Sequence, residues 1–199
     1  MSRVVRGGFP DRQFDVDFWQ AQGDEPIFEA AFDMLQISDE FKGVIVEQKP
    51  RLKEFLRQLN KHHVKFLVVG DLAIIKYTEP FHMSHLEIWV EGTPENAERT
   101  YSALVDFGAP MADLTVSEFT QPNTVYQFGV VPIRVDVMTT IDAVTFHEAW
   151  ADRVETHLGD IALSIISLAH LKKNKEASIR DTDKIHLDRL EKYAKRSKQ

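Results

Sequence analysis

The chain of 199 residues contains no cysteine, and this absence excludes several kinds of protein. Without thiols there is no disulfide framework, no cysteine nucleophile and no zinc site built on cysteine. Long apolar runs are also missing, since none approaches the roughly 20 residues that a transmembrane helix needs. Residues 2–6 are too polar to lead a signal peptide. The sequence therefore predicts a cytoplasmic protein without membrane contact.

Negative charge exceeds positive charge overall, and the net charge is −7 at pH 7. Such a balance argues against a surface that coats nucleic acid in general. The exception is the segment from Lys172 to the end, which has ten basic and five acidic residues. It is interpreted either as a solvated helix with a basic end or as a contact for RNA or phosphate.

Length and composition favour one main domain. A chain of this size that is 43% hydrophobic can bury one good core. We predict that residues 51–199 form this domain and that residues 1–50 form an N-terminal arm and helix. The first twenty-odd residues are expected to be irregular, with a helix over residues 27–35. Their aromatics are too many for a free tail, so the arm should pack on the body or mediate contact with a protein partner or a second subunit.

Periodicity places the main elements. Phe66–Val69 is a continuous apolar run typical of a buried strand, followed by a tight turn and a helix from about Leu72. His85–Val90 and Ile133–Met138 alternate as half-buried strands do. Further strands are expected at residues 124–131 and Ile161–Ile165, and helices after Pro50, Thr93 and Ser167 and over residues 182–195. The predicted class is α/β (α+β), a mixed sheet with flanking helices and a helical C-terminal portion. Residues 66–69, 86–90 and 135–138 are its expected adjacent strands.

The order of these motifs resembles the DNA polymerase beta-type nucleotidyltransferase superfamily over residues 51–191. That family usually has Gly-Gly or Gly-Ser at the turn where this chain has Gly70-Asp71. Its second strand carries Asp-x-Asp, which here reads His85-Leu86-Glu87, and a third Asp corresponds to Asp136. Residues 140–150 and 166–175 are similar to small bacterial nucleotidyltransferases related to abortive-infection toxins.

The resemblance implies a set of site residues. Glu87 and Asp136 correspond to the catalytic residues, and together with His85 they correspond to the metal ligands. The positions expected to bind nucleotide are Gly70, Asp71, Lys175, Ser178, Arg180 and Asp183. The last four match a family segment reading NKxASGRxKDxxD, in which this chain has Ile179 for the Gly and Thr182 for a Lys. Strand alternation independently places His85, Glu87, Arg134 and Asp136 on one face.

Three departures from the family pattern are unfavourable to Mg²⁺ and a nucleoside triphosphate (NTP). His85 offers nitrogen where hard Mg²⁺ prefers oxygen. Glu87 keeps the charge but is one methylene longer than Asp. Asp71 is expected to cap the following helix, so it would occupy the backbone donors that receive phosphate and repel a nucleotide.

These patterns leave three functions open. The favoured hypothesis is a degenerate nucleotidyltransferase that acts as a binding or regulatory module, in a toxin–antitoxin or phage-defence setting by resemblance. The second is an active nucleotidyltransferase that uses Mg²⁺, Glu87 and Asp136 to move NMP from an NTP to RNA or protein. The third is a site retuned for Mn²⁺ or Zn²⁺ through His85, Glu87, Asp136 and His82.

Purely structural roles are the alternatives for single residues. His85 is then a neutral, hydrogen-bonded filler, and Asp136 pairs with Arg134 or a lysine. Lys175 or Arg180 then ties the last helix to the body.

Overall fold

The computed structural model of the chain describes residues 13–41, 48–83, 85–112, 114–130 and 133–196. The helices in these ranges are α1 Gln13–Gln22, α2 Asp24–Phe41, α3 Gln48–Lys61, α4 Gly70–Tyr77, α5 Pro94–Phe107, α6 Phe146–Ala151, α7 Leu168–Ala177 and α8 Asp181–Arg196. The strands are β1 Phe66–Val69, β2 His85–Val90, β3 Val125–Val130, β4 Ile133–Met138, β5 Val154–Leu158 and β6 Ile161–Ile165, with a short 3₁₀ helix at Val116–Thr120.

The strands form one mixed sheet in the order β3-β4-β2-β1-β6-β5. β2 lies at its centre, antiparallel to β1 and parallel to β4. Two antiparallel hairpins, β3–β4 and β5–β6, form the ends of the sheet. The predicted α+β class and the predicted adjacency of the strands at residues 66–69, 86–90 and 135–138 are therefore confirmed.

The buried residues of β1, α2 and α3 are among those that the apolar patterns of the sequence predicted. All four residues of β1 are buried, as expected for a strand covered on both faces. The helical stripe on α2 and the one on α3 are buried against the body. Their buried members are Ile27, Phe28, Ala31 and Phe32 on α2 and Leu52, Phe55, Leu56 and Leu59 on α3. Ser167 caps α7 through its side chain, and Thr93 caps α5, as predicted.

Two expectations for the elements need correction. The irregular arm is wrong for Gln13–Gln22, which is helix α1 and ends at Gly23, where φ is +88°. Residues 1–12 lie outside the described ranges. Strand β5 was not predicted, because its sequence is largely polar and only Thr156 and Leu158 are buried.

One carboxylate fastens the N-terminal helices to the body. Asp24, at the start of α2, accepts two 2.7 Å bonds from Lys76 Nζ of α4 and a 2.6 Å bond from Thr156 Oγ1 of β5. Nearby, Gln20 Nε2 donates to the carbonyl oxygens of Lys76 and Thr78 at 3.1 and 2.7 Å. The C-terminal end of α4 thus obtains its hydrogen bonds from α1.

We expect Asp24→Ala to lower the free energy of unfolding by about 1–2 kcal/mol, because Lys76 and Thr156 lose their shared acceptor. Asp188→Ala is the matched control, since its pair with Lys192 is 60% exposed on both sides and should contribute about 0–0.5 kcal/mol. Urea denaturation of both variants provides the comparison. Equal losses in the two variants would contradict the fastening role of Asp24.

Candidate functional site

The candidate site lies on the face of the sheet formed by alternate residues of β2 and β4. The parallel register sets His85 beside Arg134 and Glu87 beside Asp136. Because side chains on a strand alternate between faces, these four residues share one face. The sequence prediction that they meet is confirmed.

Asp136 is paired with Arg134, which lies two residues earlier on the same strand. Arg134 Nε donates to Asp136 Oδ1 at 2.8 Å, and Arg134 Nη2 donates to Oδ2 at 2.9 Å. This two-pronged geometry is the strongest common form of the arginine–carboxylate pair. The Asp136 side chain is only 7% exposed, so few positions around its oxygens are open to another ligand. The structure thus shows the pairing of Asp136 with Arg134 that the sequence analysis gave as the structural alternative.

His85 stands between the two carboxylates. Its Nε2 lies 3.6 Å from Glu87 Oε2 and 4.0 Å from Asp136 Oδ2. The polar contact with Glu87 raises the pKa of His85 above 6.5, and burial offsets this only in part. A raised pKa favours the imidazolium ion. The two neighbouring carboxylates thus stabilise the protonated form of His85 relative to the neutral, hydrogen-bonded form considered from the sequence.

The pKa of Glu87 shifts in the opposite direction from that of His85. Burial tends to raise the pKa of this carboxyl group, but contact with His85 and the charges of Lys175 and Arg180 outweigh burial. The net effect lowers the pKa of Glu87 below 4.5. Both pKa shifts thus favour the ion pair between Glu87 and His85.

The tip of Glu87 fills the space over Gly70. Gly70 has a left-handed φ of +61°, and a Cβ built on it would lie 1.4 Å from Glu87 Oε2. A Cβ at this position would therefore displace the Glu87 carboxylate. Gly70 begins α4, and the first turn of a helix is where backbone N–H groups favour an anion. The Glu87 carboxylate lies beside this first turn.

Asp71 does not cap α4. The helix begins at Gly70 with Val69 as the N-cap residue, and no side chain makes a capping hydrogen bond. Asp71 consequently falls inside the first turn, two positions after the N-cap residue Val69. Burial, followed by the charge of Glu87, raises the pKa of Asp71, while His85 and Lys175 act in the opposite direction.

A second cluster joins α7 to α8. Lys175 Nζ donates to Asp183 Oδ1 at 2.6 Å. Ser178 Oγ and Arg180 Nε donate to Asp183 Oδ2 at 2.6 and 2.7 Å. Lys175 and Asp183 are 5% and 3% exposed. Of the six residues expected to bind nucleotide, Lys175, Ser178 and Arg180 converge on the carboxylate of a fourth, Asp183. The ion pair of Lys175 with Asp183 joins α7 to the last helix.

His186 connects the two clusters and was not singled out from the sequence. Its Nδ1 lies 4.0 Å from both Asp71 Oδ1 and Asp183 Oδ1, and it is buried without a hydrogen-bond partner within the described part of the chain. Burial, then the charges of Lys175 and Arg189, lower the pKa of His186. The available signal was its spacing three residues from Asp183 on α8, which puts both side chains on one helix face.

The donor set does not fit a magnesium ion. Mg²⁺ requires near-octahedral oxygen donors, whereas Asp136 is engaged by Arg134 and the intervening donor is an imidazole nitrogen. Over the ranges that the structure describes, no group of three or more histidine and carboxylate side chains is arranged to hold a metal. His82 is exposed and belongs to no such group.

Comparison with known proteins adds no family assignment. No protein-family model matches the chain, and no curated protein matches it. Within the described residues, none of the helices has both the length and the apolar character needed to cross a bilayer.

The contact between Gly70 and Glu87 predicts an unequal response of two glycines to alanine. Gly70→Ala should destabilise the fold by about 1–2 kcal/mol through its left-handed backbone and by about 1 kcal/mol more by displacing Glu87. Gly108→Ala is the matched control, because Gly108 also has a positive φ, +80°, but no atom within 4 Å of the added Cβ. Thermal or urea unfolding measures the difference.

The same experiment has an internal check. In a Glu87→Ala background, the further loss caused by Gly70→Ala should fall to that of Gly108→Ala, because the displaced carboxylate is gone. An excess that persists without Glu87 would show that the contact is not its cause.

The pKa shifts predict a pH window for the His85–Glu87 pair. The lowered pKa of Glu87 gives stability that is present above pH 4.5 and is lost as pH falls through the folded-state pKa. The raised pKa of His85 gives stability that is present below pH 6.5 and is lost as pH rises through the folded-state pKa. Glu87→Gln should therefore cost about 1 kcal/mol between these values and less on either side. Urea unfolding over this pH range tests the window, and a cost independent of pH would argue against the pair.

Proposed function

We propose that the chain is a nucleotidyltransferase-fold protein of the DNA polymerase beta type that has lost Mg–NTP chemistry and acts as a binding or regulatory module. One observation carries the proposal: the charged side chains at the expected catalytic and phosphate positions are paired with one another. The resemblance of the motifs supplies the fold family, and the pairing supplies the change in function.

The charges of the cleft balance without a ligand. With His85 protonated, four cations face four carboxylates. The cations are His85, Arg134, Lys175 and Arg180, and the carboxylates are those of Asp71, Glu87, Asp136 and Asp183. Two-metal phosphoryl transfer instead requires uncompensated carboxylates that attract the ions. A neutralised cleft provides little attraction for either Mg²⁺ or a triphosphate.

Lys175, the lysine expected to contact phosphate, already forms an ion pair with Asp183. Lys175 is buried against Asp183, and separating a buried ion pair costs about 3–5 kcal/mol because one charge is left uncompensated. An incoming phosphate would have to replace Asp183 as the partner of Lys175. The pair thus favours the closed, ligand-free arrangement.

The proposed module is cytoplasmic and has a macromolecular partner instead of a nucleotide substrate. By resemblance, its setting is a toxin–antitoxin or phage-defence system. The basic residues from Lys172 onward, apart from the buried Lys175, offer one contact for RNA. The softer-metal alternative has one supporting feature, the convergence of His85 on Glu87 and Asp136.

A restoration variant tests the proposal. His85→Asp, Glu87→Asp and Asp71→Gly restore the family residues, and Arg134→Met releases Asp136. If the scaffold is intact, this variant should be stabilised by Mg–ATP, by about 2.7 kcal/mol when ligand exceeds its Kd about 100-fold. The wild type should show no shift. The matched control carries the same four substitutions together with Asp136→Asn, and it should not respond.

Other outcomes assign the alternatives. Transfer of labelled NMP by the wild type at a rate equal to that of the restored variant would contradict the proposal and support an active enzyme. A thermal shift of the wild type with Mn²⁺ or Zn²⁺ that is lost in His85→Ala would support the retuned metal site. If neither protein responds to Mg–ATP, the altered segment around Lys175 also blocks the nucleotide.

A further inference from the structure

The two edges of the sheet differ in charge. On β5, the exposed residues include Glu155 and His157, the kind of polar side chains that discourage pairing with another strand. β3, with the sequence VYQFGV, carries no charged side chain. No strand within the described ranges pairs with the outer edge of β3. The β3 edge is therefore the one that can accept a further strand.

The hydrogen bonds of β3 show which backbone groups face outward. Thr139 N donates to Thr124 O at 3.1 Å, in register with the β3–β4 ladder. In an antiparallel pair, residues that bond across the ladder alternate with residues whose N–H and C=O point away from it. Since Thr124 bonds inward, Val125 and Gln127 present their backbone groups to the outer edge. Val125 is also 51% exposed.

A cavity of about 320 Å³ lies along this edge. It is lined by Pro110, Ala112, Leu114, Glu118, Thr124, Val125 and Tyr126. Val125 and Tyr126 point to opposite faces of the sheet, so a cavity that both of them line lies at the edge of the strand. The described residues of its lining are mainly apolar, and Glu118 is the charged one among them.

The outer wall of the cavity is held in place. Tyr126 OH donates to the carbonyl oxygen of Pro110, and Phe119 packs edge-on against Tyr126 with ring centroids 6.4 Å apart. Glu118 and Thr115 form a reciprocal capping box at the start of the 3₁₀ helix. The groove between this wall and β3 is consequently preformed, which reduces the entropy lost on binding.

We propose that this groove binds an extended segment of a partner protein as an added strand on β3. The backbone groups of Val125 and Gln127 pair with the segment, and one large apolar side chain enters the cavity. A basic residue beside that side chain complements Glu118 and the net charge of −7. Backbone pairing supplies affinity and the cavity supplies selectivity in this mode of recognition.

A second copy of the chain fits the groove less well. Two β3 strands that paired with each other would bring the wall of one copy, which includes Pro110 and Leu114, against the wall of the other. A lone extended segment has no such wall. This groove does not involve the charged residues of the cleft, because the outward backbone groups of β3 lie on the edge that faces away from β4.

A short-peptide library with capped ends tests the proposal, with the full chain as the target and fluorescence anisotropy as the measurement. We expect selection of extended sequences with a large apolar residue beside a basic one. Val125→Pro removes one outward N–H and no ladder bond, so the fold should persist while affinity falls about tenfold or more. Val125→Thr keeps both the N–H and the side-chain shape, and it should bind like the wild type.

A second variant tests the cavity separately. Ala112→Phe fills it and should reduce affinity for peptides with a large apolar residue, with little effect on peptides that carry alanine there. Equal binding by the Val125→Pro and Val125→Thr variants would overturn the proposal, as would a library without any selected sequence. Concentration-dependent dimerisation that Val125→Pro abolishes would assign the edge to a second copy and also overturn it.

Discussion

The pairing of charges within the cleft is the interaction on which the site depends. The parallel register of β2 and β4 brings Glu87 beside Asp136, two carboxylates that would repel one another if left alone. Arg134 and His85 offset that repulsion, and the two carboxylates in turn raise the pKa of His85. Since each charge stabilises the ionised form of its neighbour, the cluster is most stable as a complete set.

The same constraint extends to the backbone and to the last helices. Glu87 occupies the space over Gly70 at the start of α4, so a larger residue at the turn would displace that carboxylate. His186 lies between Asp71 on α4 and Asp183 on α8, which links the strand cluster to the α7–α8 joint. Removing one member of a buried charged pair costs more than the pair contributes, because the remaining charge has lost both water and partner.

The sequence predicted elements whose signal is local and strong, such as the continuous apolar run of β1 and the Ser167 cap. It missed β5, which is an edge strand with few buried residues, and α1, which has too few buried residues to show a clear stripe. The convergence of His85 and Asp136 followed from strand alternation alone. The raised pKa of His85 and the position of His186 did not follow, because they depend on distances between elements far apart in the chain.

The central claim is that the chain's own ion pairs occupy the cleft where Mg²⁺ and an NTP would bind. A crystal structure of the wild type grown with Mg²⁺ and a non-hydrolysable NTP tests this most directly. The claim predicts that Arg134 remains on both oxygens of Asp136, that Lys175 remains on Asp183, and that neither metal nor phosphate appears beside Gly70. A metal ion bound by Glu87 and Asp136, with the triphosphate on the first turn of α4 and Lys175 turned toward it, would contradict the claim.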